Sequence, residues 1–157
     1  MKSIQDWLDE YGESHQNHIN KKIHWLCVPA IMFSIVGLLW SIPHYYMPVL
    51  FNSFKLNWAI IIITLILFYY FRLSKVMGFG MLIIGSLILI GNFFLTKILL
   101  IPLWLMSLFI FVIAWIGQFI GHKIEGKKPS FFQDLQFLLI GPAWLLSFIY
   151  KKIGLKY

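Results

Sequence analysis

Four apolar runs, residues 23–42, 56–71, 77–95 and 99–121, occupy most of the middle of this chain. Each ends at or just before a residue that a lipid-embedded helix does not readily continue through: Pro43, Arg72, Lys97 or Lys123. About 20 apolar residues in a helix cross the hydrocarbon core of a bilayer. Inside lipid every backbone N–H and C=O must be bonded within the protein, and runs this long meet that demand as helices. The expected fold class is all-α integral membrane, a four-span helical bundle in one domain, 1–157. Composition agrees: 60% of the residues are hydrophobic and 12% charged, against roughly 45–50% and 25% in soluble domains.

The flanks read differently. In "MKSIQDWLDEYGE", Ile4, Trp7, Leu8 and Tyr11 fall at helical spacing with acids on the other faces. That pattern predicts an amphipathic helix on the membrane surface, within an interfacial segment 1–22. Asn20 is a candidate N-cap for the first span. A fifth apolar segment, 135–150, is short and interrupted by Gly141-Pro142; it reads as a re-entrant or interfacial helix or a short fifth span. Residues 1–22 lack the apolar h-region of a signal peptide. The single Cys27 excludes an internal disulfide and any multi-cysteine zinc site.

The formal net charge of +7 follows from where the lysines lie. With four spans, eleven of the thirteen Lys and Arg residues share one side and only Lys55 and Lys97 face the other, provided 135–150 does not cross. The positive-inside rule then places both termini in the cytoplasm. The membrane is the inner or plasma membrane in a bacterium and the endoplasmic reticulum in a eukaryote. No nucleic-acid-binding motif accompanies the charge, so no nucleic-acid partner is expected.

This topology gathers histidines. His15, His18 and His24 lie at the cytoplasmic mouth of the first span and His122 at the cytoplasmic end of the fourth; only His44 falls on the other side. Glu125 is three residues beyond His122, on the same helical face if the helix continues. Imidazoles with or without a carboxylate suit iron, zinc, copper or nickel, and two histidines with a carboxylate suit non-haem Fe(II). His15 and His24 are nine residues apart, about 900° on a straight helix, half a turn out of phase. A break near Asn17–Asn20 would let both turn inward. The blander reading is equally weighted: interfacial histidines as polar anchors, Glu125 paired with Lys123 or Lys128, and the intramembrane amides Asn92 and Gln118 bonding neighbouring helices.

Two stretches carry a resemblance. "HQNHINKKIHWLCVP" resembles the pattern His-x-Asn-x-x-Asn-x-x-x-His-x-x-x-x-Pro, and "WIGQFIGHKIEGKKPS" resembles Gln-Phe-x-Gly-His followed by an acid, basic residues and Pro. Together they resemble the 2-hydroxy-fatty-acid dioxygenase family of the fungal phytosphingosine-degradation type. The resemblance implies an Fe(II) cofactor, O2 and a long-chain 2-hydroxy fatty acid as substrates, and loss of one carbon by α-oxidation. It makes His15, His24 and His122 the metal ligands, with His18 at a position the pattern does not fix. It assigns catalytic roles to Asn17, Asn20 and Glu125, although the acid in the pattern lies one residue farther from the histidine. Lys21, Lys22, Lys127 and Lys128 would attract the substrate carboxylate.

Rival classes fit less well. A di-iron lipid hydroxylase needs several His-x-x-His boxes, and His15–His18 is the only such pair. Bis-histidine haem needs histidines facing one another within the spans. The remaining alternative is a non-enzymatic small membrane protein, a lipid-binding, transport or assembly factor; an ion transporter would carry paired intramembrane charges, which these spans lack.

Overall fold

The computed structural model describes residues 2–51, 54–126 and 137–157. Among them are six helices and a small antiparallel hairpin: α1 (Ile4–Glu13), α2 (His18–Ser41), β1 (Val49–Phe51), β2 (Phe54–Lys55), α3 (Trp58–Leu73), α4 (Lys75–Ile98), α5 (Leu103–Glu125) and α6 (Ile140–Lys152). α2, α4 and α5 are long and apolar enough to cross a membrane. α3 is equally apolar but has 16 residues, about 24 Å of helix against the roughly 30 Å of a hydrocarbon core.

The four long helices run antiparallel in sequence order. His24, near the start of α2, faces His122, near the end of α5. Farther along, Gly37 of α2 lies against Ser107 of α5. The Phe71 ring at the end of α3 lies over Gly78 near the start of α4. Asn92, late in α4, donates from its amide to the Phe33 carbonyl of α2 at 3.3 Å. One end of the bundle thus holds the start of α2, the end of α3, the start of α4 and the end of α5. Tyr70 of α3 hydrogen-bonds the Leu139 carbonyl just before α6, and Tyr150 of α6 donates to the Val76 carbonyl of α4 at 2.9 Å. α1 and α6 are therefore packed at that same end.

α1 forms for local reasons. Ser3 and Asp6 make a reciprocal capping box, and Ile4, Leu8 and Tyr11 supply one buried stripe. The stripe faces α6 rather than lipid: Tyr11 packs on Trp144 and Phe137. An amphipathic pattern alone does not say which apolar surface covers it; here that surface is Phe137 and α6.

α2 starts earlier than expected. Its N-cap is Asn17, whose side chain accepts from the Ile19 and Asn20 N–H groups. Asn20, the expected cap, is one turn inside the helix and fully buried. α6 also begins differently. Gly141-Pro142 does not interrupt the segment; it sits in the first turn, where a missing N–H leaves no intrahelical bond unmade. The helix has 13 residues, about 20 Å against the roughly 30 Å of a hydrocarbon core. Every residue from Ile140 to Ser147 is buried, because α1, α2 and α4 all pack on it.

Candidate metal centre

The helix breaks between the two histidines, at residues 14–17, a little before the expected Asn17–Asn20. α1 ends at Glu13 and α2 begins at His18, so His15 sits in the turn between two helices and His24 on the second turn of α2. The turn lets His15 fold back onto a face it could not share on a continuous helix. His122 comes from the last turn of α5. One ring nitrogen from each of His15, His24 and His122 lies within 4.8 Å of the others, and all three residues are buried.

The outer face of two of these rings is fixed. His15 Nδ1 donates to the Tyr11 carbonyl at 2.6 Å, and His24 Nδ1 to the Asn20 carbonyl at 3.0 Å. A carbonyl oxygen only accepts, so both Nδ1 atoms carry their hydrogens. In the neutral rings both Nε2 atoms are then bare lone pairs. They point at each other, 2.9 Å apart. Two lone pairs at that distance repel unless a cation or proton lies between them. Metal-ligating histidines characteristically bond a carbonyl or carboxylate through the other nitrogen, which sets the tautomer and aims the ligand. The Tyr11 ring stacks on His15, centroids 4.1 Å apart at 8°, with Trp144 on a further side at 5.4 Å.

Glu125 lies elsewhere in the site. Its carboxylate accepts from the backbone N–H of Gln16 at 2.7 Å and of Asn17 at 2.9 Å, and from the Asn20 side chain at 2.8 Å. It thereby ties the end of α5 to the turn that carries His15, and it is not one of the clustered ligand atoms. These are charge-assisted bonds to groups that the start of α2 leaves without intrahelical partners.

The remaining sequence candidates separate. His18, at the first position of α2, is exposed and outside the cluster. Six residues from His24 is about 600°, which puts it on another face of the same helix. Lys21 is half-buried and Lys22 exposed, both one turn into α2. Lys127 and Lys128 lie outside the described residues. Asn17 and Asn20 stand beside the centre through the cap and the Glu125 bond.

Three features had weak signals in the sequence. Tyr11 precedes His15 by four residues, the spacing of a helical contact. Gly117 and Gly121 form a Gly-x-x-x-Gly step that lets α5 approach α2 closely. A Cβ at Gly117 would meet Cys27 Sγ at 2.6 Å, and one at Gly121 would overlap Asn20 Oδ1. Gln118, expected to bond a neighbouring helix, is buried and makes no hydrogen bond among the described residues. It lines a cavity of about 30 Å³ together with His122, Tyr11 and Trp115.

These observations define a helical membrane protein with a three-imidazole centre at one end of its bundle. A family model described as "Mpo1-like: 2-hydroxy-palmitic acid dioxygenase Mpo1-like" matches residues 1–153, and the chain belongs to that family. It is 27% identical over 153 residues to the 2-hydroxy-palmitic acid dioxygenase MPO1 of Saccharomyces cerevisiae, covering 96% of this chain and 82% of that protein. No solved structure matches the chain.

Proposed function

We propose that this protein is a non-haem iron dioxygenase that shortens long-chain 2-hydroxy fatty acids by one carbon at the membrane–cytoplasm interface. The observation that carries the proposal is the pair of Nε2 lone pairs on His15 and His24, aimed at one another with His122 beside them. Such a donor set needs a positive centre. Three neutral imidazoles suit Fe(II), and also zinc; the yeast relative's dioxygenase activity favours iron. Fe(II) held there would supply open positions for O2 chemistry.

The chain's own residues do the rest. His15, His24 and His122 are the ligands. Tyr11 and Asn20 hold two of the rings through their carbonyls. Glu125 and Asn17 act as positioning residues that fix the turn carrying His15. Lys21 and Lys22, with Lys127 and Lys128, draw the substrate carboxylate to the mouth. The acyl tail stays in the bilayer or in apolar cavities between helices, so the carboxyl end is delivered at the depth of the histidines. The bundle crosses the membrane four times with both termini cytoplasmic, and α6 lies at the cytoplasmic end without crossing.

The overall change, a 2-hydroxy acid plus O2 giving the acid one carbon shorter, CO2 and water, balances without an external reductant. The test is to offer 2-hydroxypalmitate and palmitate to Fe(II)-loaded protein in detergent, under air and under nitrogen. Shortening of the 2-hydroxy acid alone, and only under air, supports the proposal. Equal turnover of both acids, or shortening under nitrogen, refutes it.

A further inference from the structure

We infer that Gln118 is the specificity-determining residue that recognises the substrate's 2-hydroxyl, an inference that rests on the dioxygenase reading above. Gln118 lies one turn before His122 on α5, and positions four apart share a helix face. Both residues line the same small cavity. The Gln118 side chain is 94% buried, being 6% exposed, yet its amide has no hydrogen-bond partner among the described residues. Buried amides are rarely left so. Asn92 in the same bundle is half-satisfied: its N–H groups donate to the Phe33 and Ile88 carbonyls, while its Oδ1 has no partner among the described residues. An amide without a hydrogen-bond partner among the described residues, lining a cavity beside the ligands, is placed to meet a ligand atom.

The cavity's size narrows what that atom is. At about 30 Å³ it holds one or two water-sized groups, not an acyl tail. Its walls Met32 and Leu138 are also walls of an apolar cavity of about 80 Å³. Met32 further borders one of about 310 Å³. Gln118 and His122 are the polar side chains in the wall of the small cavity, and the larger apolar cavities lie on the other side of Met32 and Leu138, so an amphiphile seated across them would set its head beside Gln118 and His122. Amide and hydroxyl match: Gln118 Oε1 accepts a hydrogen bond from the C2 hydroxyl. Palmitate has the carboxylate but no C2 hydroxyl, so it leaves Oε1 without that bond. Sites built to bond a hydroxyl reject the analogue that lacks it.

The test uses iron-free full-length protein in detergent, with binding of 2-hydroxypalmitate and palmitate measured by displacement of a fluorescent fatty acid. Wild-type protein is expected to prefer 2-hydroxypalmitate by about tenfold, the scale of one satisfied hydrogen bond. Gln118→Met, nearly isosteric but without donor or acceptor, should keep palmitate affinity and bring the ratio to about one. Gln118→Leu should do the same with a different shape. Iron loading of each variant reports whether the fold and the histidine centre survive. A preference unchanged in both variants overturns the inference while leaving the dioxygenase reading intact. Loss of affinity for both acids together would mark a structural role for Gln118 and also overturns it. Wild-type protein that binds neither acid would overturn both.

Discussion

His24 and His44 sit at opposite ends of the same bundle and begin alike. Each donates Nδ1 to a nearby backbone carbonyl, His24 to Asn20 at 3.0 Å and His44 to Ile42 at 2.9 Å. There the likeness stops. His24 is buried, with His15 and His122 against it and α1 and α6 packed around that end. His44 is half-buried, in a segment with Tyr45 and Tyr46 in the open, near the hairpin and Lys55. A carbonyl behind an imidazole thus orients a ring but does not make a centre. The centre needs three elements to converge, a helix break that frees one ligand, and enough protein around it to exclude water.

The comparison can be broken most severely at the ligands. His15→Ala, His24→Ala or His122→Ala should each abolish turnover of 2-hydroxypalmitate, while His44→Ala leaves it within about twofold. An assay of all four variants in detergent checks this. Activity surviving in any of the first three would erase the contrast between the two ends.

The packing around the centre comes next. Trp144 of α6 is buried, contacting Tyr11 and His15. Trp144→Ala should cost about 3–5 kcal/mol, the usual range for a buried Trp or Phe reduced to Ala. Tyr46→Ala, at the far end and fully exposed, should be near neutral. Thermal unfolding of the two variants measures the difference. Equal losses would mean that the two ends are not differently packed.

Glu125→Gln removes the charge that the Gln16 and Asn17 N–H groups share. It keeps the shape, and metal affinity should fall about 10- to 100-fold, as for other residues that orient ligands. A metal-chelator competition reads this. Loss of all metal would instead make Glu125 a ligand.

The smallest effect concerns α1. Hydrogen bonding from Ser3 holds the Asp6 carboxyl below its ordinary value of 3.8. A depressed folded pKa contributes stability that is present above the unfolded value and lost as pH falls through the folded one. The N-terminal cap of α1 should therefore loosen only below pH 4, and slightly, because Asp6 is solvent-exposed. Hydrogen exchange of the α1 amides against pH follows it. Loosening that begins near pH 6 would point to another group.

The apolar runs announced α2 to α5 because length and continuity are properties of the sequence itself. Their ends were less legible. Asn17 and Asn20 are both good caps; Asn17 caps α2, while Asn20 turns its amide to Glu125, which is more than 100 residues away. The helical phase of His15 and His24 showed that a break was needed, and the break lies at residues 14–17. The α1 stripe was visible, but whether lipid or α6 covers it depends on a distant helix. For Gln118 the sequence suggested a helix-bonding amide. Its lack of a partner emerges only from the packing of α5 against its neighbours.

The central claim is that three histidines from the α1–α2 turn, α2 and α5 hold one iron. Protein purified without oxygen and loaded with Fe(II) should be passed through a desalting column, assayed for iron, and examined by X-ray absorption. The account predicts one iron per chain with an imidazole scattering signature, retained in His44→Ala and lost in His122→Ala. Stoichiometric iron in the His122→Ala protein, or none in the wild type, would contradict it.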